Sequence, residues 1–210
     1  MTGSGSPPAH LQQNQSGLDR DAVARQAARR LLDSHIPADD REARHRAEMI
    51  DFLDREPACF ERSNPDRHFT ASALILDPGR SLVLLTRHAK LNRWLQLGGH
   101  CDGDCDLAGV ALREASEESG LPEEAFTFAQ GRDTPLHLDI HTIPAGRSGP
   151  EHLHYDVAFL LVADPRAFPL AISDESLDLA WLDTEDARIP TDMRMRAMLD
   201  RAGVERVRFR

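Results

Sequence analysis

Residues 98–121 read GGHCDGDCDLAGVALREASEESGL, a glycine pair and an acidic loop running into one helix that carries Arg113, Glu114, Glu117 and Glu118. At about 100° per residue, Glu114 and Glu118 project about 40° apart, with Glu117 about 60° to the other side. Leu107, Val110, Ala111 and Leu121 fall on the same side of the wheel as Glu114 and Glu118. An apolar, inward-facing stripe is thus interrupted by carboxylates, a costly arrangement unless a cation compensates them. A solvated acidic face is the plain alternative, but carboxylates on an apolar stripe behind a glycine-rich loop argue against it. Oxygen-only ligands suit Mg²⁺ or Mn²⁺, which keep positions open for water and phosphate.

The stretch resembles the signature of the Nudix hydrolases, which split nucleoside diphosphates linked to another moiety. That signature is a glycine, five residues, a glutamate, seven residues, then Arg-Glu-aliphatic-x-Glu-Glu-x-Gly-aliphatic. Gly99 takes the first place, and Arg113, Glu114, Ala115, Glu117, Glu118, Gly120 and Leu121 fill the second half. Cys105 stands where the first glutamate belongs. The resemblance implies that Glu114 and Glu118 are metal ligands and that Glu117 shares the metal or locks Arg113, its i−4 neighbour. Arg113 and Glu117 would hold the ligand geometry, while Glu114 or Glu118 assists in deprotonating a water. Gly98 and Gly99 would let the backbone turn sharply, so that a carbonyl, that of Gly99, reaches the metal. The implied cofactor is Mg²⁺ or Mn²⁺, and the implied substrate is a nucleotide or another small diphosphate.

A thiol at position 105 supports neither an arginine nor Mg²⁺ well. Asp102, Asp104 and Asp106 flank it, and a one-residue shift of the loop would bring Asp104 near the missing carboxylate's place. The substitution keeps a second reading open, a catalytically weakened Nudix-fold sensor that binds a nucleotide or sugar phosphate. A third reading, isomerisation of an isoprenoid diphosphate, would require Cys101 or Cys105 to be activated. A zinc site on His100, Cys101 and Cys105 is incomplete, because structural zinc takes four ligands with paired spacing.

Outside the motif, the chain divides by texture. Its 210 residues suffice for one well-cored domain plus an appendage. Residues 1–17, MTGSGSPPAHLQQNQSG, read as a disordered tail without a signal pattern. Residues 18–66 read as a helical hairpin, broken at Pro37 and ended before Pro57, packed on the main domain. Residues 67–210 then form the main domain. Strands are expected at 69–76, 81–87, 136–143, 154–163 and 179–182, with a closing helix at 191–203. The fold class is α/β (α+β): a Nudix-like α/β/α sandwich on a mixed sheet, carrying the N-terminal hairpin.

The formal charge of −10 excludes a general nucleic-acid or anionic-membrane binder. The longest apolar run, AFLLVA at 158–163, is far short of a membrane span. Three cysteines, Cys59, Cys101 and Cys105, leave no paired disulfide framework and suit a cytoplasmic protein. The hairpin would shape the cleft or form a homodimer interface. Candidate substrate contacts are Arg93, just before the motif, Glu175 in a late acidic loop, and His154 and Asp156. Strand alternation puts His152, His154 and Asp156 on one face, and Asp139 and His141 belong beside them if their strands pair. Trp94 could stack on a base, but core packing serves it equally.

Overall fold

The computed structural model describes residues 9–146, 149–173 and 176–204. Helices α1 (Ala9–Ser34) and α2 (Asp40–Arg55) form the hairpin. Strands β1 (Arg67–Leu76), β2 (Leu82–His88), β3 (Arg93–Leu95) and β4 (Leu97–His100) lead into helix α3 (Leu107–Ser119). A 3-10 turn, Glu123–Ala125, precedes β5 (Thr127–Phe128), β6 (His137–Ile143), β7 (His152–Val162), β8 (Ser176–Asp183) and helix α4 (Met193–Arg201). All eight strands join one sheet. Its centre is the parallel pair β1 and β7, in register from Arg67↔Leu153 to Leu76↔Val162. Strands β2 and β4 pair antiparallel with β1, β5 and β6 antiparallel with β7, and β8 with β2.

Alternation along β1 and β7 sorts the sheet into two faces. Phe69, Ala71, Tyr155, Val157 and Phe159 share a core with Ala28, Leu31 and Leu32 of α1, Met49, Phe52 and Leu53 of α2, and Leu107, Val110 and Ala111 of α3. Leu74, Leu76, Ala158 and Leu160 on the other face meet Met195, Met198 and Leu199 of α4. This is the expected α/β/α sandwich on a mixed sheet.

Three differences from the sequence reading have physical reasons. Helix α1 begins at Ala9, inside the stretch read as a tail. Leucine and glutamine there are good helix formers that extend a helix without an apolar period of their own. Strands β3 and β5 are too short to show alternation. The glycine pair read as a turn belongs to strand β4, whose partners on β1 run from Thr70↔His100 to Ala73↔Leu97.

The hairpin is fastened to the sheet by a charge. Glu42, on the first turn of α2 behind the Asp39 cap, is 1% exposed. Its carboxylate accepts from Ala38 N–H at 2.6 Å, Leu138 N–H at 3.0 Å and Arg201 Nη1 at 2.8 Å. His35 Nε2 lies 2.8 Å away and His137 Nδ1 2.9 Å. Burial alone would raise this carboxyl, but the contacts with His137, His35 and the two backbone N–H groups outweigh it and hold it well below the usual carboxylate range. Arg25 closes the other end of the hairpin, donating to the carbonyls of Leu53, Glu56 and Pro57.

A carboxyl depressed on folding contributes stability above its unfolded value of 4.5 that is lost as pH falls below it. Denaturant titrations at several pH values should therefore show stability declining from about pH 4.5 downward, the ordinary glutamate value. Glu42→Gln should cost about 3 kcal/mol at neutral pH, typical of a broken buried ion cluster, and should flatten that acid slope.

Candidate active site

Helix α3 starts at Asp106, whose carboxylate accepts from Gly109 N–H at 3.0 Å, and lies over the backbone of β4. The contact leaves no room for side chains on the strand. A Cβ at Gly99 would stand 2.3 Å from Glu114 Oε2, and one at Gly98 would stand 2.5 Å from Ser72 Cα on β1. Gly98 N–H donates to Glu118 Oε2 at 2.9 Å. Glu114 and Glu118 thus press against the glycine pair, while the Glu117 side chain is 63% exposed at the helix flank. Burial raises the Glu114 carboxyl above its ordinary range, and Arg113 offsets only part of the shift.

Arg113 gathers the loop around this cluster. Its Nη2 donates to the His100 carbonyl at 3.1 Å and to Glu114 Oε1 at 3.0 Å, and its Nε lies 3.8 Å from Glu117 Oε1. Its Nη1 lies 3.8 Å from Asp104 Oδ2. The carboxylate beside the arginine is therefore Asp104, one residue before the position where the signature has its glutamate. Cys105 turns away, packing against the core under α1, in a groove that Ala28, Leu31 and Leu107 also line. Cys101 is buried in the same core, where desolvation holds its thiol well above the ordinary range. His100, Cys101 and Cys105 do not converge as a zinc site, because the two cysteines join the core that the helices cover while His100 lies opposite.

On that opposite face β6 and β7 do pair, with Asp139↔Asp156 and His141↔His154 in register. Asp156 is 3% exposed and accepts from Thr70 Oγ1 at 2.9 Å, Ser72 Oγ at 2.7 Å and Arg194 Nη2 at 2.9 Å. Ser72 is the strand partner of Gly98, so this buried network sits directly behind the glycine pair. Burial would raise Asp139, but the hydrogen bond with His141 and the charge of Arg194 prevail and hold it at about 2. Burial lowers His154 to about 2, with His100 adding to the effect, and lowers His100 to about 4. Both rings are neutral at physiological pH.

The sequence profile of the NUDIX domain matches residues 66–202, about two thirds of the chain. The chain belongs to the Nudix family. Among solved structures, a C. elegans Ap4A hydrolase binary complex has a TM-score of 0.51 at 20% identity, covering 64% of this chain and 94% of that chain. At that identity the likeness is one of fold. A NUDIX-family hydrolase from Clostridium perfringens gives a TM-score of 0.46 at 27% identity over 66% of this chain and 96% of that one. The Nudix hydrolase RenU from M. smegmatis gives 0.46 at 23% identity, over 66% and 84%. No curated protein sequence matches the chain. Arg113, Glu114, Glu117 and Glu118 with the glycine pair, the residues that the sequence reading aligned with the Nudix signature, come together inside the matched domain.

The remaining candidates lie apart from this cluster. Arg93 on β3 pairs with Asp192 at 3.0 Å, the residue that caps α4. Trp94 packs against the α4-side core with the Arg188 guanidinium 5.6 Å from its ring centre, as the core reading has it. Glu175, and Asp174 beside it, lie outside the described residues. Sequence reading missed His68 on β1, whose ring centre lies 5.1 Å from that of His100 and 4.9 Å from that of His154. Its only sequence signal was one polar position opening an apolar strand.

Gly99→Ala meets the movable end of Glu114 and should lower kcat about tenfold or more while changing unfolding free energy by less than about 1 kcal/mol. Gly98→Ala meets backbone and should cost about 2–3 kcal/mol, read by denaturant titration. Steady-state kinetics should also separate the acidic loop: Asp104→Asn lowers kcat several-fold, whereas Cys105→Ala leaves it near wild type.

Proposed function

We propose that the chain hydrolyses a phosphoanhydride bond in a substrate of the nucleoside diphosphate-X type, with Mg²⁺ or Mn²⁺ as cofactor. The observation that carries this is the pressing of Glu114 and Glu118 against the backbone of Gly98 and Gly99, with Glu117 alongside and Arg113 shared between Glu114 and Glu117. A desolvated carboxylate whose proton affinity is raised, in a cradle that a single Cβ would fill, fits a small hard cation. Glu114, Glu117 and Glu118 with the Gly99 carbonyl would hold it. When bound, such an ion neutralises phosphate oxygens and lowers the pKa of a water.

The protein's own groups account for the rest. Arg113 anchors Glu114 and the His100 carbonyl, so the carboxylate is held in one orientation against Gly99. Glu114 or Glu118, held beside the cation, would assist in taking the proton of the attacking water, directly or through a second water. Water attack forms one P–O bond and breaks the anhydride P–O bond, leaving two phosphorylated products. Arg93, exposed at its guanidinium and shared with Asp192, is the cation proposed for the distal phosphate. Asp156 would act from behind the glycine pair, through Ser72 and Arg194, and His154, next to His100, is the second contact proposed on that face. Asp104 beside Arg113 supports a working enzyme over a sensor.

Incubation with Mg²⁺ or Mn²⁺ and a panel of nucleoside diphosphate derivatives, reading phosphate after phosphatase coupling, tests the proposal. Metal-dependent turnover that falls at least about 100-fold in Glu118→Gln is the expected result. No turnover across the panel, with nucleotide binding retained by calorimetry, would restore the sensor reading.

A further inference from the structure

The sheet face opposite α3 carries a second group of potential ligands that the Nudix motif does not use. His68 of β1 is the strand partner of His154 of β7, and His100 of β4 pairs with Thr70, two residues along β1. One ring nitrogen from each of the three histidines lies within 4.8 Å of the other two. The ring of His152 lies tilted at the same distance, 5.1 Å, from both His68 and His154.

The hydrogen bonds around His68 and His152 set the tautomers in this cluster. His68 Nδ1 lies 3.3 Å from the Asn64 carbonyl, which can only accept, so the proton sits on Nδ1 and the lone pair on Nε2. That Nε2 is buried and has no hydrogen-bond partner. His152 Nδ1 lies 2.9 Å from the Pro150 carbonyl and so carries the proton; its Nε2 accepts from Nε2 of His154 at 3.2 Å, which leaves the lone pair of His154 on Nδ1. An imidazole that gives one N–H to a carbonyl and offers the other nitrogen is the usual form of a metal-bound histidine. Leaving a buried ring nitrogen unmatched costs about 1–3 kcal/mol, and the packing of three or four imidazoles at one spot does nothing to offset that cost.

We infer that His68, His100 and His154 bind a transition-metal ion of the zinc type, with His152 as a fourth imidazole within reach. Three imidazoles at about 2.1 Å from an ion stand about 3.4 Å apart, so modest ring rotations close the set. Imidazole selects zinc, copper or nickel over Mg²⁺, so this site and the glutamate cluster are distinct in chemistry as well as in face. The ion joins β1, β4 and β7, and His100 follows Gly99 directly in the chain, so binding fastens the strand that carries the glycine pair.

The test uses full-length, tag-free protein stripped by chelator and titrated with Zn²⁺ and with Co²⁺ in excess Mg²⁺, which occupies the carboxylates. One equivalent should bind, with the intense visible absorption of low-coordinate Co²⁺, and should raise the Tm. His154→Asn and His100→Asn should each weaken Zn²⁺ binding beyond the roughly 10–100-fold typical of outer-shell partners, whereas Glu118→Gln should leave it intact. Metal-free variants that melt with the metal-free wild type establish that the fold survives. If His154→Asn does not fold, the partly exposed His100 and the wild-type Co²⁺ spectrum decide alone. Absence of a bound equivalent in Mg²⁺, unchanged binding in the histidine variants, or loss in Glu118→Gln would overturn the inference.

Discussion

Strand β4 and helix α3 approach so closely that only bare backbone fits between them. Glu114 occupies the space where a Gly99 side chain would stand, and Gly98 N–H is committed to Glu118. On the strand's other side Gly98 sits against Ser72 of β1, whose hydroxyl is held by Asp156. The position of the carboxylates is thus set through a stack running from helix to strand to central sheet. Each layer is fixed by the one beneath it, and the parallel pair β1 and β7 lies at the bottom.

Arg194 extends this stack to the helix on the far face. It reaches Asp156 and His141 from the first turn of α4, and the neighbouring cap, Asp192, takes Arg93. The apolar residues of α4 fill the core beneath. Its N-terminus places Arg194, the cation that meets Asp156 and Asp139, behind the glycine pair. An acidic protein of net charge −10 thereby keeps carboxylates in its interior without leaving them unpaired.

What was legible in the sequence was periodic or covalently local. The 3.6-residue period put Glu114 and Glu118 on one side of α3, where they lie half-buried beside its buried stripe, and the two-residue period put His154 and Asp156 on one face of β7. Asp104 was readable as a replacement for the missing glutamate because it lies one residue away. Strand β4 was hidden because glycine, glycine and histidine carry no strand propensity, and the strand owes its existence to β1 on one side and α3 on the other. His68 and His154 could not be brought together beforehand, since the register that aligns them joins strands 86 positions apart, the Cα pairing Arg67↔Leu153 being its first rung. Glu42 was equally silent: an acid in the first turn of a helix reads as a favourable dipole contact, and only the folded chain shows it buried.

That glutamate has a consequence for the order in which the protein is made. Its partners come from residue 35, from residues 137 and 138, and from Arg201, which is 159 positions downstream. The hairpin leaves the ribosome early, yet its charge has no complete shell until the last helix has been synthesised. A chain lacking α4 therefore lacks Arg201, and the Glu42 carboxylate buried beneath the hairpin would keep its two histidines and two backbone N–H groups without the permanent cation that pairs with it.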